Sequence, residues 1–309
     1  MKTRAAAYSE PFITTFTEPG FWPVVLPSAE PVNLESLDSL RTRRRSENRR
    51  EVASFLEPLN RLATESHHLT RRLGLGFRHE GGWSEIPHYQ FMGPRGGGDA
   101  VRIGVFATIH GDEPESGLGL IRFLEELVRR PELAAGFVIE AYPVCNPLGF
   151  EDGTRTARTG RDLNREFWRD SDQPEVRLLE GELVGTSFHG LVSLHCDDTS
   201  HGLYGFLSGR RPSEVLSASL LEPALSAAER HLPRNQDARI DGFNACAGIL
   251  RTCYDGVLRA PEGMVEPPFE ITFETPQLTP VNLQVEAFST ALIVMLEEYR
   301  QLMAHAPNL

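Results

Sequence analysis

The sequence predicts a three-layer α/β/α domain in which a mixed, mostly parallel sheet lies between two layers of helices. Apolar runs of strand length alternate with segments whose apolar residues follow helical spacing, and this alternation is typical of the class. Several runs, including residues 101–109 and 137–144, are nearly continuous in apolar residues, as in strands that helices cover on both faces. Hydrophobic residues make up 40% of the 309 positions, enough to build a large core.

The predicted domain covers residues 51–309 and follows an N-terminal extension, residues 1–50. Residues 1–40 hold many prolines and show few helical or strand periods. Residues 41–50 contain six arginines, a run compatible either with an anion- or partner-binding patch or with a solvated linker. From residue 51 onward, five apolar residues recur at the spacing of a helix: Val52, Phe55, Leu56, Leu59 and Leu62.

Strands and helices then alternate. The predicted strand 101–109 leads into a helix with Pro114 near its start, where a missing N–H costs nothing. Residues 147–170 are rich in Gly, Arg, Asp and Asn, and a loop of that length is usually functional. The other predicted elements are strand 85–93, strand 137–144, helix 175–184, strand 190–195, strand 203–207, helix 213–231 with a kink at Pro223, strand 269–273 and helix 281–304.

Composition excludes several classes of protein. There are 31 basic and 43 acidic residues, and the resulting net charge of −12 argues against a general nucleic-acid binder. No apolar run approaches the ~18 residues that span a membrane, and residues 1–11 lack the apolar core of a secretory signal. The four cysteines form no CxxC pair. We therefore expect a cytoplasmic protein with reduced thiols that binds neither nucleic acid nor membranes; its oligomeric state is left open.

A candidate metal site begins at His110 and Glu113. Both follow a predicted buried strand directly, at the carboxyl end where α/β sheets bind ligands. A histidine and a glutamate three residues apart can both reach one divalent ion, although the HxxE pattern alone is frequent by chance. A catalytic zinc site needs a third protein ligand and an open position for water.

Two further strand ends supply candidates for the same site. His195 ends the predicted strand 190–195 and is either the third ligand or a core histidine that bonds to backbone. Glu274 follows the predicted strand 269–273, where a buried unpaired carboxylate is costly unless a function holds it. Glu274 is thus a candidate general base for a metal-activated water, or otherwise a solvent-facing residue just past the strand.

Asn164 and several arginines of the long loop suit carboxylate recognition, because a guanidinium group matches a carboxylate with two parallel hydrogen bonds. A solvated arginine-rich loop is the alternative.

The order of these elements resembles the zinc carboxypeptidase (M14-like, or funnelin) superfamily, which includes the succinylglutamate desuccinylase/aspartoacylase branch. The pattern of that superfamily is HxxE, NPxG, GxDLNRxF, a strand-end His and a strand-end Glu. All five elements occur here in that order over about 165 residues: 110–113, 146–149, 160–167, His195 and Glu274.

The resemblance implies a role for each matching residue. His110, Glu113 and His195 would bind one zinc ion per chain, and Glu274 would be the general base. Cys196 is expected to be buried structure rather than a fourth ligand, because adjacent strand residues point to opposite faces.

The resemblance also implies the substrate contacts. Arg155 would polarise the scissile carbonyl, with Arg158 and Arg161 as competitors for that role. Asn164 and Arg165 would hold the terminal carboxylate of the substrate. Tyr254 is a candidate for the mobile tyrosine that covers the substrate in the superfamily.

These roles predict a metallocarboxypeptidase or amidase that acts on a small peptide with a free carboxylate. Only 35 residues follow Glu274, so the β-rich domain that desuccinylases and aspartoacylases carry there is not expected, and the architecture predicted is closer to single-domain carboxypeptidases and murein-peptide amidases. The alternatives are an N-acyl amino acid deacylase, a binding protein that kept the fold without turnover, and an interaction module that uses the arginine run.

Overall fold

The computed structural model of the protein describes residues 50–95, 99–208 and 213–305. The predicted N-terminal extension, except for Arg50, lies outside the described residues. The same holds for residues 41–49 of the arginine run.

Eight of the twelve described strands form one mixed sheet in the order β1-β4-β6-β5-β7-β12-β8-β11. The strands are β1 (Leu69–Arg71), β2 (Leu75–His79), β3 (Gly82–Ile86), β4 (Tyr89–Met92), β5 (Val101–Ala107), β6 (Phe137–Tyr142), β7 (Gly190–Asp197), β8 (Tyr204–Ser208), β9 (Arg239–Ile240), β10 (Phe243–Asn244), β11 (Ile249–Leu250) and β12 (Phe269–Pro276). The four central strands, β6, β5, β7 and β12, are parallel, whereas β4 and β8 run antiparallel to them. Two separate hairpins, β2–β3 and β9–β10, complete the set.

Helices cover both faces of the sheet, which confirms the predicted three-layer class. The helices are α1 (Val52–Phe55), α2 (Glu57–Glu65), α3 (Pro114–Arg129), α4 (Pro147–Asp152), α5 (Pro174–Gly185), α6 (Ser213–Ala228) and α7 (Val281–His305). One hydrophobic cluster joins α3, α6 and α7 to one face of the central strands. A second cluster joins α5 and the β2–β3 hairpin to the other face.

Two predicted segments differ from the structure. The strand predicted over 85–93 is interrupted at Pro87, which has no N–H to donate to a sheet, so β3 ends in a hairpin and β4 begins in the main sheet. The predicted loop 147–170 contains α4, for which the side chain of Asn146 accepts a hydrogen bond from the N–H of Gly149 (2.9 Å) as the N-terminal cap. It also contains a single 3₁₀ turn, Leu163–Arg165.

Pro114 is the first residue of α3 and Pro223 lies inside α6, as the sequence predicts. None of the helices within the described ranges is both long enough and apolar enough to cross a membrane. All four cysteines are free thiols.

Candidate metal centre and substrate cleft

A cleft of about 300 Å³ opens at the carboxyl ends of the parallel strands. His110 follows β5, His195 lies in β7 and Glu274 lies in β12, so three neighbouring strands bring these side chains to one edge of the sheet. Asn164, on the 3₁₀ turn of the long loop, also lines the cleft.

A strained turn carries the chain from β5 to the first two candidate ligands. Thr108 is fully buried and has a φ of 52°, a left-handed conformation that a β-branched residue seldom adopts. Its N–H donates to Oγ of Ser116 (2.9 Å), which ties the turn to α3. A Cβ at Gly111 would lie 2.0 Å from the carbonyl carbon of Gly149, so only glycine lets the turn pack against α4. Strain of this kind clusters at functional sites.

His110, Glu113 and His195 converge as the sequence predicts. All three are buried, and their ligand atoms lie within 4.8 Å of one another. Nδ1 of His110 is 2.6 Å from one carboxylate oxygen of Glu113, and Nδ1 of His195 is 3.2 Å from the other. The two Nδ1 atoms are 3.2 Å apart.

This donor set fits a zinc ion. Imidazole nitrogens and a carboxylate are ordinary zinc ligands, and two ligands of one tetrahedral ion stand roughly 3.4 Å apart. Both Nδ1 atoms face the same carboxylate, so the three side chains share a centre.

Charge within this cluster is unevenly distributed. Burial alone would lower the pKa of His110, but the Glu113 and Asp162 carboxylates raise it to about 9. Burial lowers the pKa of His195, which favours the neutral imidazole that binds metal. Burial acts to raise the pKa of Glu113, yet the two histidines hold it below its ordinary value.

Asp162 joins the candidate ligands to Arg155. Its carboxylate lies 3.2 Å from Nε2 of His110, the nitrogen that faces away from Glu113. It also pairs with the guanidinium group of Arg155 at 3.1 Å. A carboxylate on the outer nitrogen fixes the orientation and tautomer of a ligating histidine. No role for Asp162 was predicted from the sequence, although this residue lies within the GxDLNRxF element.

Glu274 is buried at the wall of the cleft, with only 9% of its surface exposed. Burial, followed by repulsion from Glu113 and Asp197, raises the pKa of Glu274 well above its ordinary value. A carboxylate that is buried beside the ligands and has a raised pKa suits proton transfer near neutral pH.

The loop arginines differ in their partners. Arg155 lines the cleft and, besides Asp162, reaches Glu113 at 3.5 Å. Arg158 and Arg161 do not line the cleft. They are held by acidic neighbours: Glu151 and Asp152 for Arg158, and Glu166 and Asp172 for Arg161. Of the three competitors, Arg155 is therefore the one that lines the cleft.

Arg165 also lines the cleft. Within the part of the chain that the structure describes, no carboxylate lies within 4.0 Å of its guanidinium group. One of its donors bonds the carbonyl of Asn164 (2.8 Å), and the group lies 4.0 Å above the ring of Tyr254. A guanidinium has five N–H donors, so most remain open to a ligand.

Asn164 is buried, and its amide nitrogen lies 3.5 Å from Nε2 of His195. Its amide oxygen accepts the N–H of Leu258 (2.9 Å). Cys196 is buried and stands outside the His-Glu-His group, as expected from strand alternation.

The β9–β10 hairpin carries Asp241 to the rim of the cleft. This hairpin was not predicted from the sequence, although Asp241-Gly242 between apolar residues is a strong hairpin signal. Both residues have a positive φ, 50° and 81°, as a tight hairpin turn requires.

Residues 99–233 match the profile of a family described as the succinylglutamate desuccinylase/aspartoacylase catalytic domain. This segment includes the three candidate ligands and ends before Tyr254 and Glu274. A search of the curated proteins finds no match.

Solved structures with the same fold include metallo-carboxypeptidases. One from Burkholderia cenocepacia has a TM-score of 0.64 at 14% identity, covering 81% of this chain and 68% of that one. One from Pseudomonas aeruginosa, in complex with (2-guanidinoethylmercapto)succinic acid, has a TM-score of 0.63 at 17% identity, covering 82% and 70%. A protein from Shewanella denitrificans assigned as a metallopeptidase has a TM-score of 0.63 at 22% identity, covering 79% and 88%.

The family match over residues 99–233 and the shared fold agree with the resemblance to the zinc carboxypeptidase superfamily that the sequence pattern carries. At these identities the superpositions establish the fold.

Proposed function

We propose that residues 51–309 form a zinc-dependent hydrolase domain that cleaves an amide bond next to a free carboxylate in a small peptide. The observation that carries this proposal is Arg165, which has no acidic partner among the described residues and lies in the same cleft as a His-Glu-His group and a buried glutamate. A guanidinium in that position is a ready anchor for a carboxylate. The four free cysteines suit a reducing, cytoplasmic compartment.

Each side chain has a defined task in this proposal. A zinc ion held by His110, Glu113 and His195 would supply Lewis acidity, which activates water and polarises a carbonyl. Glu274 takes a proton from the attacking water and returns it to the leaving amine. Arg155 stabilises the negative charge that develops on the carbonyl oxygen.

The remaining residues orient the substrate and the ligands. Arg165 and Asn164 bind the terminal carboxylate, which turns binding energy into alignment of the scissile bond. Asp162 holds the outer nitrogen of His110 and, through Arg155, couples the metal site to the carbonyl-binding group.

A second candidate is an N-acyl amino acid deacylase, and the family match over residues 99–233 favours it. Both candidates need a carboxylate anchor and differ in what lies on the other side of the amide: a peptide or a simple acyl group. The Pseudomonas relative binds a small succinic acid derivative, which is consistent with either. A binding protein without turnover is a third possibility, because the same anchor and metal group would hold a ligand.

A substrate panel tests these alternatives. Zinc-loaded protein is incubated with N-acyl dipeptides, their C-terminal amides, and N-acetyl and N-succinyl amino acids, and amine release is measured. Cleavage of the dipeptides but not of their amides supports the peptidase, and cleavage confined to N-acyl amino acids supports the deacylase. Absence of turnover on the whole panel contradicts the proposal and favours a binding protein.

A further inference from the structure

The ring of Tyr254 lies directly beneath the candidate carboxylate anchor. The guanidinium carbon of Arg165 is 4.0 Å from the ring centroid, a distance at which a cation is attracted to an aromatic face. The ring is packed in turn against Phe243 (4.8 Å between centroids, 75° between planes) and lies near Phe206 (6.4 Å). The guanidinium group therefore rests on a supported surface.

The segment that carries Tyr254 is tied to the segment that carries Arg165. The N–H of Phe167 donates to the carbonyl of Gly256 (3.0 Å), and the N–H of Leu258 donates to Oδ1 of Asn164 (2.9 Å). At Gly256, which has a φ of 74°, a Cβ would lie 2.2 Å from the carbonyl oxygen of Arg165. The two backbones thus touch, and a swing of the Tyr254 segment would break both hydrogen bonds.

The hydroxyl group of Tyr254 already has a partner. It donates to the backbone carbonyl of Asp241 in the turn of the β9–β10 hairpin (3.1 Å). Its hydrogen is engaged there, so the group has no donor left for a substrate carboxylate.

We propose that Tyr254 is a fixed positioning residue whose ring face holds the Arg165 guanidinium in the orientation that receives a carboxylate. The resemblance implies a mobile tyrosine here, whereas the contacts favour a static one that acts through its ring. This inference rests on the proposed function for the nature of the ligand, a free carboxylate.

The test measures ligand binding, so it does not depend on turnover. Tyr254→Phe and Tyr254→Leu are made in zinc-loaded Glu274→Gln protein, and calorimetry follows an N-benzoyl dipeptide and its C-terminal amide. We expect Tyr254→Phe to bind the acid within about threefold of the parent, because the ring face is kept. Tyr254→Leu should bind it about tenfold more weakly, which corresponds to ~1.4 kcal/mol. The amide should bind equally weakly to all three proteins.

A cycle with Arg165 separates positioning from a general structural effect. In Arg165→Ala protein, Tyr254→Leu should cost no further affinity for the acid, since both substitutions remove the same feature, the Arg165 guanidinium held on the Tyr254 ring. If Tyr254→Phe and Tyr254→Leu lose the same affinity for the acid, the hydroxyl group and not the ring is responsible, and the inference is overturned. The inference is also overturned if Tyr254→Leu binds the acid as tightly as the parent does, or if it loses equal affinity for the acid and the amide. It is overturned as well if the parent protein does not bind the acid more tightly than the amide.

In the active enzyme, Tyr254→Leu should raise KM with kcat nearly unchanged. Absence of hydrolysis by wild-type protein would contradict the proposed function alone, because the binding cycle would still decide the role of Tyr254.

Discussion

His195 and Glu274 occupy paired positions on the adjacent parallel strands β7 and β12. Paired residues on neighbouring strands place their side chains on the same face of the sheet, so the candidate ligand and the buried carboxylate reach one cleft. The next pair, Cys196 and Thr275, faces the other side, where the Thr275 hydroxyl lies 3.4 Å from the cysteine sulfur. The strand register thus places His195 and Glu274 on the cleft side of the sheet and Cys196 and Thr275 on the core side.

Glu274→Gln is expected to keep the metal and lose at least about a hundredfold in kcat, because an amide of the same size cannot accept the water's proton. Steady-state kinetics and metal analysis on one preparation check this. Glu270→Gln is the matched control, since Glu270 is a buried carboxylate on the same strand that bonds the N–H of Ala260 and does not line the cleft. A Glu274→Gln protein with wild-type kcat would mean that another group is the base.

Arg165→Lys should not be conservative, since it keeps the charge and removes the planar fork. Loss of a charge-assisted contact of this kind costs roughly 2–4 kcal/mol, or about 30-fold to several-hundredfold in kcat/KM. Amidation of the substrate carboxylate should cost wild-type protein a similar factor and cost Arg165→Ala little more. Arg161→Lys is the control outside the cleft. If the losses from Arg165→Ala and from amidation multiply as independent effects, another group binds the substrate carboxylate.

Arg155→Met should lower kcat about a hundredfold or more if this guanidinium stabilises the developing oxyanion. Arg158→Met and Arg161→Met should leave kcat almost unchanged, because neither residue lines the cleft. Because Asp162 links Arg155 to His110, metal content is measured for each variant. Loss of kcat in Arg158→Met or Arg161→Met, with Arg155→Met active, would reassign the role.

The convergence of His110, Glu113 and His195 could be predicted from the sequence because carboxyl ends of parallel strands meet at one edge of a sheet. Which strand-end residues are neighbours can therefore be predicted in this fold class without knowing the paths of the loops.

The side-chain contacts of the long loop could not be predicted in the same way. Whether an arginine meets a substrate depends on which carboxylates its backbone path brings near, and Arg155, Arg158 and Arg161 look alike in sequence. The role of Asp162 likewise depends on a contact with His110 across 52 positions. The break at Pro87 was foreseeable, since proline removes a donor that a continuous strand needs.

A buried ion cluster away from the cleft predicts a pH dependence of stability. The Glu140 carboxylate, 5% exposed, accepts from Gln90 (2.8 Å), pairs with Arg102 and lies 2.9 Å from Nε2 of His88. Burial acts to raise the pKa of Glu140, but the hydrogen bonds from His88 and Gln90 lower it below 4.5. A depressed carboxyl pKa stabilises the fold above the unfolded value and ceases to do so as pH falls through the folded one.

Glu140→Gln should therefore lower the free energy of unfolding at pH 7 by ~1–3 kcal/mol. The difference from wild type should shrink as the pH falls below 4.5. Denaturant titrations between neutral and acid pH check this, and a difference that stays constant with pH would contradict the role of the charge.

The most direct test of the account is the zinc content of the reconstituted protein and two variants. Wild-type protein should hold about one zinc per chain, and His195→Ala should lose it, because two remaining side chains do not complete a catalytic zinc site. Cys196→Ser, altered at the adjacent position on the opposite face of β7, should retain the full content. A wild-type protein that binds no zinc, or a His195→Ala protein that keeps a full equivalent, would contradict the central claim that His110, Glu113 and His195 form a metal centre.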